Sequence, residues 1–201
     1  MEVLFNITNL KSLITFVHLA GLAIGLGGAW VLDAFIVKHL HNPISKDKYF
    51  TIEFVSKFVL AGLVILWLSG FSFIGYYYLY TPEFLVNQKV WGKLFIVVVL
   101  TLNGFLVHRV VLPRVNDSIG RSLADSLSEA EIKKLTVIGV VSFMSWIFPV
   151  ILGVSKTLNF SVPAIDIIAF YLVVVVAVAI FASILSSRVI GRSGLNNQPE
   201  G

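Results

Sequence analysis

The chain contains no cysteine. Disulfides, thiolate-bound metals, iron–sulfur clusters and cysteine nucleophiles are therefore excluded. Charge is scarce as well: 13% of the 201 residues are Asp, Glu, Lys or Arg, where about a quarter is usual for a soluble domain. Methionine occurs only as Met1 and Met144, which leaves no thioether pair of the kind that soft copper ions prefer. No Walker, Rossmann, HExxH or GxSxG motif is present, and no internal repeat suggests an inverted-repeat transporter. What fills the chain instead is apolar: 57% of residues are hydrophobic and the mean hydropathy is +0.91. This is the composition of an all-α integral membrane protein.

Five segments reach the roughly 18 apolar residues needed to cross a bilayer. They are residues 12–37, 54–79, 90–113, 135–156 and 164–188, forming one transmembrane domain over 1–192 followed by a polar tail over 193–201. The first span follows a start without a basic region or small-residue cleavage site, so it reads as a retained helix. Basic residues concentrate on one side. Lys38, Lys46, Lys48, Lys57, Arg109, Arg114, Arg121, Lys133, Lys134, Arg188 and Arg192 flank the same membrane face; only Lys11, Lys89, Lys93 and Lys156 flank the other. The positive-inside rule places the N-terminus outside and the C-terminus in the cytoplasm. Net charge +4 is accounted for by anionic lipid and requires no nucleic acid. "TPEF" at Thr81 predicts a capped short interfacial helix, and "SEAE" at Ser128 a capping box opening the fourth long helix.

Ionisable groups inside a span are costly and point to function, and their depths divide them into two layers. His18 and Lys93 belong to the outer layer, with Trp91 and Tyr76–Tyr78. Asp33, Lys57, His108 and Arg109 belong to the inner layer, where an ion pair of Asp33 with Lys57 or Arg109 would hold helices together. Asn103 and Trp67 fall between. At about 100° per residue, His18, Gly21, Gly25, Gly28 and Leu32 share one stripe. Two readings of that lane are open. Small residues let another helix approach closely, in a neighbouring segment or a second copy of the chain. Alternatively, a flat cofactor lies on the lane with His18 as ligand, since a neutral imidazole suits haem iron.

An early histidine in helix one, His39 just beyond it, "LWLSG" at Leu66–Gly70 and "VWGKLFIVVVL" at the start of helix three together resemble the HemJ-type protoporphyrinogen oxidases and the related CopD-type membrane domains. The resemblance covers about the first 115 residues and matches His18 and Lys93 to that family's hallmark histidine and lysine. The chain departs from the family in having one more helix, a glycine-rich helix one and a helix-three histidine, His108, placed later. The resemblance implies a multi-pass protein of the bacterial cytoplasmic membrane. It also implies a haem b with a redox role, in electron transfer or tetrapyrrole oxidation, and a quinone or other redox partner.

The leading expectation is therefore haem b ligated by His18. Gly21, Gly25 and Gly28 would support the macrocycle, Lys93 would meet a propionate or serve as second ligand, and Asn103 would offer a hydrogen bond. The rivals are a proton or metal-ion transporter using a polar ladder from His18 through Asn103 to His108, Asp33 and Lys57, and a non-catalytic subunit of a membrane complex.

Overall fold

The structure, a computed structural model, describes residues 2–196 and the side chains of 7–186. Its long helices are α1 (Glu2–Lys38), α2 (Lys46–Tyr80), α3 (Gln88–Leu106), α6 (Glu129–Val154) and α7 (Ala164–Asn196). A π-helical segment, Val107–Val111, carries α3 on into α4 (Leu112–Asp117); α5 is the short turn Leu123–Ser126. Counting α3 through α4 as one rod, five helices among the described residues are long and apolar enough to cross a membrane. Their perimeter is apolar, with Phe16, Leu68, Phe71, Phe105, Phe170 and Phe181 exposed. Large apolar side chains facing outward in this number fit lipid rather than water.

Most helices overrun the spans read from hydropathy, because caps and not apolar content set where they end. Ser45 caps α2 by accepting from the Lys48 N–H at 3.2 Å, and Asn87 caps α3 by accepting from the Lys89 N–H at 3.2 Å. The capping box of α6 forms as its sequence predicts, with Ser128 and Glu131 bonding each other's backbone. At Thr81 the prediction is corrected: Pro82–Leu85 does form one 3-10 turn, but the Thr81 hydroxyl makes no cap and finds no partner. Residues 193–196 continue α7 rather than starting a tail. Residues 197–201 of the expected tail, and the side chains of Arg188 and Arg192, lie outside the described residues.

The helices pack as two groups. α1 lies along α2, while α3 packs on α6 and α7. Two clusters join the groups. Ala29, Leu63, Leu66, Leu100 and Trp146 form a mid-depth cluster drawn from α1, α2, α3 and α6. Leu32, Ile44, Ile52, Leu112, Val115 and Leu123 form a second at one end of the bundle. There the two loops clasp each other: Ile44 donates to the Arg121 carbonyl (3.0 Å), Gly120 donates to that of Ile44 (2.8 Å), and Ala124 donates to that of Leu40 (3.0 Å). We call this the clasp end.

The glycine lane of α1 is the tightest seam. A Cβ at Gly21 would lie 2.7 Å from Ile65 Cγ2, and one at Gly28 would lie 3.0 Å from Val59 Cγ2. A Cβ at Gly25 would strike the Trp146 indole, and one at Gly62 would strike the Gly25 backbone. A side-chain clash can be relieved by rotation, but backbone can yield only if the helices part. Gly62→Ala is therefore expected to destabilise the protein by about 1–3 kcal/mol, the usual scale of overpacking. Gly70→Ala, where a Cβ meets nothing within 4 Å, removes only helix-interior glycine and should be neutral or stabilising. Thermal unfolding of both variants in one detergent checks the contrast; equal midpoints would contradict the seam.

Candidate ligand cavity and the outer histidine

At the end opposite the clasp, α1 and α2 bring His18 against Ser69, with Nδ1 2.9 Å from Oγ. Phe73 meets the imidazole edge-on at 5.5 Å. Ser69 also donates to the Ile65 carbonyl at 2.7 Å, so its one proton is committed and the imidazole Nδ1–H donates to it. That leaves Nε2 without a hydrogen-bond partner among the described residues. Lys93 lies within electrostatic range of His18 but makes no hydrogen bond or ion pair with a described residue. Its Nζ stands 4.0 Å from where a Gly153 Cβ would be. His18 and Lys93 are thus neighbours. Trp91 stands apart, exposed, its indole donating to the Leu85 carbonyl at 2.9 Å.

The lane below His18 is covered by protein. Val59, Gly62, Ile65 and Trp146 lie on Gly21, Gly25 and Gly28, so packing takes the lane. A macrocycle does not fit on these three glycines without displacing α2 and Trp146, and the lane is equally unavailable to a second copy of the chain. Asn103 is also committed to packing: it is buried and its Nδ2 donates to the Ile138 carbonyl of α6 at 3.1 Å. Between His18 and the inner layer sits the apolar mid-depth cluster around Trp146, which interrupts the expected polar ladder.

The inner layer separates as well. Lys57 pairs with Glu53 at 2.8 Å and is largely exposed; Arg109 is exposed. Neither neutralises Asp33, which makes no ion pair with any described residue. Asp33 and His108 instead line the same cavity, about 570 Å³ in volume, between the mid-depth cluster and the clasp. Its walls come from both helix groups. Among the described residues, Asp33 and His108 are the only ionisable ones in its lining.

Local structure explains His108. Pro113 has no N–H, and its ring would press on the carbonyl four residues earlier. The chain responds with a wider π turn, in which the Leu112 N–H reaches back to the Val107 carbonyl. Such π segments recur at functional sites, and this one carries His108. The space itself comes from small residues: Gly104 and Gly139 line the cavity, and a Cβ at either would meet nothing within 4 Å.

Trp146 closes the cavity toward mid-depth. It is 2% exposed, lines the cavity and has an indole N–H with no acceptor among the described residues. A buried donor left unpaired costs roughly 1–3 kcal/mol. The sequence reading assigned no role to Trp146. The proline five residues beyond His108 was the available signal for the π turn. No protein-family model, curated protein or solved structure matches the chain.

The pairings separate substitutions that matter from those that do not. Lys57→Gln should change stability by less than about 0.5 kcal/mol, because exposed ion pairs contribute little. Asn103→Ala should cost on the order of 0.6–1.7 kcal/mol, the range for interhelical hydrogen bonds in membranes. Denaturant or thermal unfolding in detergent distinguishes the two, and a larger loss for Lys57→Gln would overturn the assignment.

Proposed function

We propose that the protein binds an uncharged, lipid-soluble small molecule inside its helix bundle, with Asp33 and His108 meeting the polar end of that molecule. The observation that carries this reading is the cavity of about 570 Å³ whose only ionisable lining residues, among those described, are Asp33 and His108. Its volume lies in the range of small-molecule sites, about 300–1,000 Å³. The lining is otherwise dominated by Leu, Ile and Val, which suits an apolar body. Among the described residues no lysine or arginine lines it, so none of them would neutralise a phosphate headgroup there, which disfavours ordinary anionic lipids. Val37 and Leu185 line the cavity and are also exposed on the apolar perimeter, giving a lipid-dissolved molecule a side approach. A carboxyl group and an imidazole are both proton-exchanging groups, as the redox role implied by the resemblance requires.

A second reading has one observation in its favour. The Nδ1 of His18 is tied to Ser69, the second-shell arrangement that orients a metal-binding imidazole and leaves Nε2 for the metal. Under this reading His18 ligates a haem b away from the glycine lane. A Soret band in the purified protein, lost in His18→Ala, would support it. A protein that is colourless after expression with ample haem would end it.

The cavity reading is tested by filling the cavity. Gly139→Leu projects a side chain into open space and is expected to keep or raise the melting temperature. Protein purified in mild detergent should release about one lipid-soluble, phosphate-free molecule per chain on solvent extraction and mass spectrometry; Gly139→Leu should release little, and Asp33→Asn less than the parent. Equal recovery from the parent and Gly139→Leu would overturn the reading.

A further inference from the structure

We infer that the occupant of the cavity is a fatty acyl ester of a small polyol, as in the monoacylglycerols, with its hydroxyls at Asp33 and His108 and its ester carbonyl at the Ser142 hydroxyl. This rests on the cavity reading above and goes further by naming the head chemistry and the groups that recognise it.

Hydroxyls on helices ordinarily bond back to the carbonyl three or four residues earlier. Ser56, Ser69, Ser72, Thr101 and Ser145 do so here, at 2.6–2.8 Å. Thr136 and Ser142 of α6 both line the cavity and make no hydrogen bond with any described residue. For Ser142 the cause is local. The carbonyl four residues back, that of Ile138, already accepts the helix bond of α6 and the Asn103 Nδ2 at 3.1 Å, which uses both of its lone pairs. Gly139 stands between the two hydroxyl residues, each about 60° round the helix from it and on opposite sides. The contact that commits Asn103 to packing therefore leaves a hydroxyl uncommitted beside the open space over Gly139.

Depth then sorts the polar groups. Trp146 lies on Gly25 and clusters with Leu100. Counted from that contact at about 1.5 Å per residue, Ser142 lies about 6 Å, Asp33 about 12 Å and Thr136 about 15 Å toward the clasp, and His108 lies about 12 Å beyond Leu100. Asp33, His108 and Thr136 thus share one level, and Ser142 stands nearer mid-depth. The first level offers a carboxyl group, an imidazole and a hydroxyl, and suits alcohols, which both donate and accept. Ser142 offers a hydroxyl proton and suits a carbonyl oxygen. A polyol ester carries both, its free hydroxyls a few bonds from its ester carbonyl. Phe143, next to Ser142, lines the cavity and is also exposed on the perimeter, so the acyl chain can leave toward lipid at that level. A simple ester or ketone brings no donor to Asp33, and an alkylammonium brings no acceptor to the Ser142 hydroxyl.

Photolabelling of the full chain in nanodiscs by a monoacylglycerol with a diazirine in its acyl chain is the test. Monolaurin and methyl laurate are the unlabelled competitors, alike in tail and ester and different in the free hydroxyls. Monolaurin is expected to displace the label from cavity-lining peptides at about a tenth of the methyl laurate concentration. Ser142→Ala and Asp33→Leu should each raise the apparent Kd for the label about tenfold, corresponding to about 1.4 kcal/mol. Ser72→Ala, outside the cavity lining, should leave it unchanged. Equal competition by the two esters, labelling confined to lipid-facing residues, or an unchanged Kd in either variant would overturn the inference. The cavity reading would still stand if Gly139→Leu lacks the co-purifying molecule, and would fall if it does not.

Discussion

The close approach of Gly25 to Gly62, with Trp146 resting on Gly25, is the contact on which the rest of the bundle depends. Two helices without side chains at the crossing can bring their backbones together, and in lipid such packing replaces the hydrophobic drive available in water. The crossing seats α1 on α2 and leaves room for one large side chain from α6. Trp146 takes that room and links the α1–α2 pair to the group formed by α3, α6 and α7. Without it the two groups would meet chiefly at the clasp.

That single wedge also accounts for the empty space. With Trp146 propping the groups apart at mid-depth and the Ile44–Gly120 backbone bonds holding them at the clasp, the intervening stretch is spanned but not filled. Gly104 and Gly139 contribute no side chain there, and the π turn before Pro113 brings His108 to the wall. Packing density elsewhere in protein interiors is high enough that a void of this size has to be produced by specific residues. Here those residues lie on facing helices, as they would for a site that holds something.

Asp33 shows why depth alone is a poor guide to partnership. Lys57 and Arg109 stand near the same level, and a carboxylate in lipid needs a cation. But Lys57 is four residues from Glu53 on its own helix, a spacing that pairs side chains directly, and it is largely exposed. The carboxyl group of Asp33 is left facing the cavity instead. His18 shows the opposite case: its partner, Ser69, lies within the "LWLSG" segment of helix two, although their pairing was not visible in the sequence.

The sequence alone determined what depends on composition and on neighbours within one helix. Apolar length placed five spans, the Ser128–Glu131 spacing set the start of α6, and the stripe of His18, Gly21, Gly25 and Gly28 was correct as a face. Each of these is a property of local geometry, with a fixed rise and turn per residue. Only the tertiary structure decided what lies against that face. Whether a glycine lane receives a helix, a second chain or a cofactor depends on residues of other helices, here Val59, Gly62 and Ile65 of α2 and Trp146 of α6, and their pairing with the lane is not written in the sequence of α1. The cavity was invisible for the same reason: it is bounded by residues from five helices, and no single one of them carries its shape.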